Sequence, residues 1–90
     1  MNVDSSLIER RKMIVDDTLY EYLKSLFGLQ TACGLIVFFE TWRQYGETMA
    51  IAQFSERTSY YYRNLLVQAG LLKRPNYSTV VVADEYKLSL

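Results

Sequence analysis

The chain has 90 residues, half of them hydrophobic, with eight Tyr and four Phe, and its ten basic residues balance ten acidic ones. That composition excludes a disordered chain, and one Cys with no His excludes an internal disulfide, an ordinary zinc site and a histidine-based triad. The longest uncharged apolar run, residues 29–39, falls well short of the roughly 20 residues a bilayer span needs, and the polar opening MNVDSSLIERRK lacks a signal-peptide core, so one soluble, cytoplasmic domain without metal or cofactor is expected.

Residues 4–27 have helical spacing. Leu7, Ile8, Val15, Leu19, Tyr22, Leu23 and Leu26 fall mostly on one stripe, with charges between them. Thr18 to Glu21 fits a capping box behind Asp16 and Asp17. The segment is therefore either one long helix or two helices broken near residues 16–18, and Gly28 is its stop. Arg10, Arg11 and Lys12 could add contacts to phosphate, but Glu9, Asp16 and Asp17 around them fit an ordinary charged helix face better.

Residues 31–45 read as a second helix, closed by Gly46. Ala32, Leu35, Ile36, Phe39 and Trp42 form one stripe, and Cys33, Val37 and Phe38 add apolar surface on another face. A helix apolar on most sides is the centre of a domain, yet a chain this short can build only a small core around it. Packing against the helix of residues 1–28, in part from a second copy, would cover the excess. Residues 1–28 are accordingly expected to dimerise, with residues 29–90 as the second unit. Cys33 is expected to be a buried thiol; a bridge between two copies is the alternative.

Residues 48–54 form a short segment with Met49, Ala52 and Phe54 as core contacts. Ser55 has the chemistry to cap a new helix over about residues 56–69, which Gly70 ends. The sequence LLKRP, the turn-forming residues 75–78 and TVVVA then make a β-hairpin, with alternate residues of Val80, Val81 and Val82 facing the core. The expected fold is mainly α with a small β-hairpin.

This order of elements is that of a winged helix-turn-helix with an extra N-terminal helix. Residues 46–74, GETMAIAQFSERTSYYYRNLLVQAGLLKR, resemble the DNA-binding core of the ArsR, MarR and PadR-type regulators. Ser55 as the cap, Leu66 near the helix end, Ala69, Gly70 and Leu71, and the basic pair Lys73 and Arg74 occupy matching places. The resemblance covers about residues 31–83 and implies a recognition helix followed by a wing that touches adjacent minor groove or backbone.

Helical spacing divides residues 56–69 into faces. Tyr62, Leu65, Leu66 and Ala69 mark the buried side, while Arg57, Tyr60, Tyr61, Asn64 and Gln68 point away, with Ser59 and Arg63 at the borders. An α-helix fits the major groove, where Asn64 can pair bidentately with adenine, arginines can take guanine or phosphate, and tyrosines can meet a phosphate or a thymine methyl. The hairpin offers Lys73 and Arg74 on its first strand and Asn76 and Tyr77 at its tip. Residues 57–83 contain Arg57, Arg63, Lys73 and Arg74 and no acid, so a neutral total can hide a basic face. Asp16-Asp17 and Asp84-Glu85 are each adjacent in sequence, which turns the two side chains apart; no catalytic constellation is visible and no enzyme is expected.

These features predict a homodimer that binds double-stranded DNA sequence-specifically and regulates transcription, its two recognition helices about 34 Å apart. The alternative is a winged-helix protein-interaction module without DNA binding, which the low net charge and the exposed tyrosines suit.

Overall fold

The structure is a computed structural model and describes residues 15–88. The expectations placed on Leu7, Ile8, Glu9, Arg10, Arg11 and Lys12 lie outside the described residues. Four helices, α1 (Asp17–Phe27), α2 (Leu29–Tyr45), α3 (Glu47–Ala52) and α4 (Glu56–Ala69), precede an antiparallel hairpin of β1 (Leu72–Asn76) and β2 (Thr79–Val82) and a 3₁₀ turn, Asp84–Tyr86. The domain is thus helical with a small β-hairpin, in the expected order. Among the described residues no helix is long and apolar enough to cross a membrane.

Helix α1 is capped by Asp16, whose Oδ1 accepts from the amides of Thr18 at 2.9 Å and Leu19 at 3.2 Å. The capping box expected at Thr18 does not form. Asp16 holds the extended backbone of a cap, and Glu21 instead pairs with Lys24 at 3.0 Å. The stripe that α1 buries is also narrower than its spacing suggests. Leu19 and Leu23, four apart, are buried with Tyr20 and Phe27 beside them, whereas Val15, Tyr22 and Leu26 are exposed.

Single glycines join α1 to α2 and α2 to α3. Gly28 (φ 89°, ψ 162°) and Gly46 (φ 103°, ψ 163°) each end one helix and start the next, in a backbone region essentially reserved for glycine. Because Gly28 can reverse the chain in one residue, α2 begins at Leu29 rather than Thr31.

Helix α2 is the centre of the domain. Ala32, Leu35, Ile36, Phe39 and Trp42 are buried as expected, and so are Phe38, Glu40 and Thr41. Phe38 gathers an aromatic cluster, with ring centroids 5.8 Å from Trp42, 5.7 Å from Phe54 and 5.6 Å from Tyr62, which ties α2 to the end of α3 and to α4. Cys33 departs from expectation and is exposed. It lies a full helical step from Ala32, at the edge of the α1 contact, where its sulfur is 3.6 Å from the Tyr20 hydroxyl. In the short helix the buried residue is Ala50; Met49 and Phe54 are half-buried and Ala52 is exposed.

A buried polar hub anchors the start of α1. The Glu40 carboxylate is wholly buried, accepts from the Asp16 amide at 2.9 Å, and takes Arg43 Nε on one oxygen and Arg43 Nη2, at 2.9 Å, on the other. Gln44 donates to it at 3.2 Å, and Arg43 Nη1 donates to the Tyr86 carbonyl at 3.1 Å. The network fastens α2 to the cap of α1 and to the chain beyond the hairpin.

Candidate nucleic-acid interface

Helix α4 starts where Ser55 Oγ accepts from the Thr58 amide at 3.1 Å and ends at Gly70, whose amide donates to Val67. Its buried line, Tyr62, Leu65, Leu66 and Ala69, follows the helical spacing, with Tyr62 half-buried and its ring 5.4 Å from Phe54. The opposite side presents Arg57, Tyr60, Tyr61, Asn64 and Gln68, all exposed, with Tyr60 at 58% and Tyr61 at 53%. Five residues of the expected contact face therefore share one solvent-facing side.

The two border residues part company. Ser59 is 3% exposed, on the stripe it shares with Tyr62 and Leu66, and cannot act as a surface contact. The spacing 59, 62, 66 carried that information, and the polarity of serine concealed it. Arg63 is half-buried: its guanidinium lies 5.3 Å from the Tyr60 ring centroid, and its Nε is enclosed. Ser59 Oγ and Arg63 Nε, one turn apart, are buried without a hydrogen-bond partner among the described residues.

The position of α4 on the domain depends on Gly34, in the middle of α2. The Tyr62 hydroxyl rests against the glycine, and a β-carbon there would overlap the hydroxyl oxygen and lie 2.9 Å from Cζ. Tyr22, on α1, donates from its hydroxyl to the Ala69 carbonyl at 2.8 Å and fixes the far end of the same helix.

Lys73, Arg74, Asn76 and Tyr77 are all exposed on the hairpin, Tyr77 at 99%. Leu72 and Val80 hold the hairpin to the core, and the strands pair from Leu72 with Val82 to Asn76 with Thr79, with an irregularity where Pro75 supplies no amide. Pro75 and Asn76 thus belong to β1, and the turn itself is Tyr77-Ser78, two residues shorter than expected. The tip is braced. Asn76 Oδ1 accepts from the Ser78 amide at 3.1 Å and its hydroxyl at 3.3 Å.

Acids bracket the basic set. Glu56 precedes Arg57, and Asp84 follows the hairpin. The hydrogen bond from Lys87, at 3.1 Å, followed by the charges of Lys87 and Lys73, holds the Asp84 carboxyl below its ordinary range, so the Lys73 charge is partly offset. Among the described residues no group of three or more Cys, Asp or Glu is placed to hold a metal ion. Compared with protein families, with curated proteins and with solved structures, the chain finds no match.

Proposed function

We infer that this chain is a cytoplasmic, sequence-specific double-stranded DNA-binding regulator of transcription that acts as a homodimer. The observation that carries the inference is the exposed set Arg57, Tyr60, Tyr61, Asn64 and Gln68 on one side of α4, followed by a hairpin that exposes Lys73, Arg74, Asn76 and Tyr77, with no acid between residues 57 and 83. Helix α4 would enter the major groove, where Asn64 reads adenine and the tyrosine hydroxyls meet phosphate. The hairpin would reach the adjacent backbone or minor groove. Nothing in the composition or among the described residues suggests catalysis.

With four basic residues per subunit, a dimer offers eight. If about six neutralise phosphates, log affinity falls with log salt at a slope of about −5. Fluorescence titration of a labelled random duplex at low salt is expected to give binding at about 1 µM or below, the electrostatic regime of non-specific complexes. On a duplex selected from a random pool, Asn64→Ala is expected to weaken binding about tenfold, the effect of losing one bidentate base contact. No binding of any duplex at micromolar protein would overturn the inference. It would leave the protein-interaction module, which the low charge and the tyrosine-rich exposed face would then favour.

The second copy is proposed to sit on the α1–α2 corner. Leu26 on α1 and Leu29 and Cys33, four apart on α2, are all exposed, Leu26 at 49% and Leu29 at 60%, and Val15 adds to them. Sedimentation at tens of micromolar is expected to show a dimer, and Leu26→Glu with Leu29→Glu to give a folded monomer. A monomeric parent chain would contradict the proposal.

A further inference from the structure

The geometry points to a binding site for a small organic cation in the cleft between α1 and the 3₁₀ turn, away from the proposed DNA face. The cleft encloses about 450 Å³ and is lined by Asp16, Thr18, Leu19, Tyr22, Arg43, Glu85 and Tyr86. That size lies within the range of small-molecule sites.

The chemistry of the lining selects the class of ligand. Arg43 supplies a positive charge, and each of its three nitrogens already donates, Nε and Nη2 to the buried Glu40 carboxylate and Nη1 to the Tyr86 carbonyl, which leaves one N–H on each terminal nitrogen, with Asp16 Oδ2 4.0 Å from Nη2. It is a fixed part of the wall, and its charge is already matched by the Glu40 carboxylate. The acids at the mouth are less committed. Asp16 uses Oδ1 to cap α1, and its Oδ2 is 4.0 Å from Arg43 in a side chain 42% exposed. Glu85 is exposed, with no hydrogen bond or ion pair among the described residues. With Arg43 matched by Glu40, the carboxylates of Asp16 and Glu85 leave an excess of negative charge among the described lining residues, beside an apolar floor at Leu19.

Two tyrosines complete the site. The Tyr22 hydroxyl is spent on the Ala69 carbonyl, so what that residue offers the cleft is its ring. Tyr86 packs edge-on against Phe39, centroids 6.3 Å apart, and is held by Arg43 through its own carbonyl. Aromatic rings, an apolar floor and uncompensated carboxylates together recognise a cation with apolar substituents, such as a quaternary ammonium or a protonated amine. The site does not depend on α4 touching DNA.

The test is a titration of the full chain with benzyltrimethylammonium, followed by amide NMR shifts, with benzoate as the anionic control. Saturable binding of the cation at millimolar concentration or below is expected, with shifts at Leu19, Tyr22 and Tyr86 and none from benzoate. Glu85→Gln, an exposed change that leaves the fold intact, is expected to weaken the cation about three- to fivefold, the scale of one partly exposed charge pair. Glu85→Lys is expected to abolish binding. Absence of saturable binding, equal binding of benzoate, or unchanged affinity in both Glu85 variants would each overturn the assignment.

Discussion

Replacing Glu40 with alanine is expected to destabilise the fold by about 3–5 kcal/mol, the cost of removing one partner from a buried ion pair. A domain of this size has only about 5–15 kcal/mol in total. The size of the effect comes from what is left behind. Arg43, its side chain 10% exposed, would lose the acceptors of Nε and Nη2, and the Asp16 amide would lose its acceptor ahead of the first turn of α1. The charge is then enclosed with only the half-exposed Asp16 carboxylate, 4.0 Å away, to offset it, which costs more than the pair contributed when intact. Removing both partners should be far less harmful, so Glu40→Leu with Arg43→Met is expected to recover most of the loss. Urea denaturation of the three proteins, compared at one concentration because the apparent stability of the proposed dimer would depend on it, would measure these differences. A single-variant cost under about 1 kcal/mol would show that the hub is solvated in practice and that surface values apply.

The second large effect is expected at Gly34, and general helix propensity predicts the opposite sign. Glycine inside a helix costs about 1 kcal/mol relative to alanine, so Gly34→Ala in an isolated helix would stabilise. Here the new methyl would occupy the space of the Tyr62 hydroxyl. The tyrosine cannot simply swing aside, because its ring is set between Phe38 at 5.6 Å and Phe54 at 5.4 Å. Forcing a side chain into such a site costs typically about 1–3 kcal/mol, so a net loss is expected in thermal or urea unfolding. Adding Tyr62→Phe removes the clashing oxygen but leaves Cζ 2.9 Å from the new carbon, so rescue should be partial. A Gly34→Ala protein as stable as its parent would refute the tight seat of α4 on α2.

Both effects arise from contacts that the sequence does not display, and this divides what was legible from what was not. The order of helices, the cap at Ser55, the stop at Gly70 and the hairpin follow from local chemistry, and all were readable in advance. The exposed side of α4 was equally readable, because one periodicity fixes which residues share a face. Periodicity alone does not say how wide a buried stripe is. The width depends on how closely neighbours pack, and so Tyr22, Leu26 and Cys33 came out exposed while Ser59 went inside. Glu40 was the least visible. A lone acid in an apolar helix looks like a surface residue until Arg43, three residues on, and the Asp16 amide, far away in the chain, are brought to it. Gly34 likewise has no local mark, since its role is to leave room for a ring from another helix.

The single-glycine corners at Gly28 and Gly46 limit how the chain can change its length. Two helices that share one junction residue have no slack to absorb an insertion. One extra residue at either corner would advance the helical phase by about 100° and turn the packed stripe of the next helix out of the core. The same residue added beside Tyr77, at the exposed hairpin turn, would disturb only two strand ends. Unlike the two glycine corners, the tip of the hairpin can therefore grow or shrink, and it is a place where the proposed DNA contact could be retuned without moving α4.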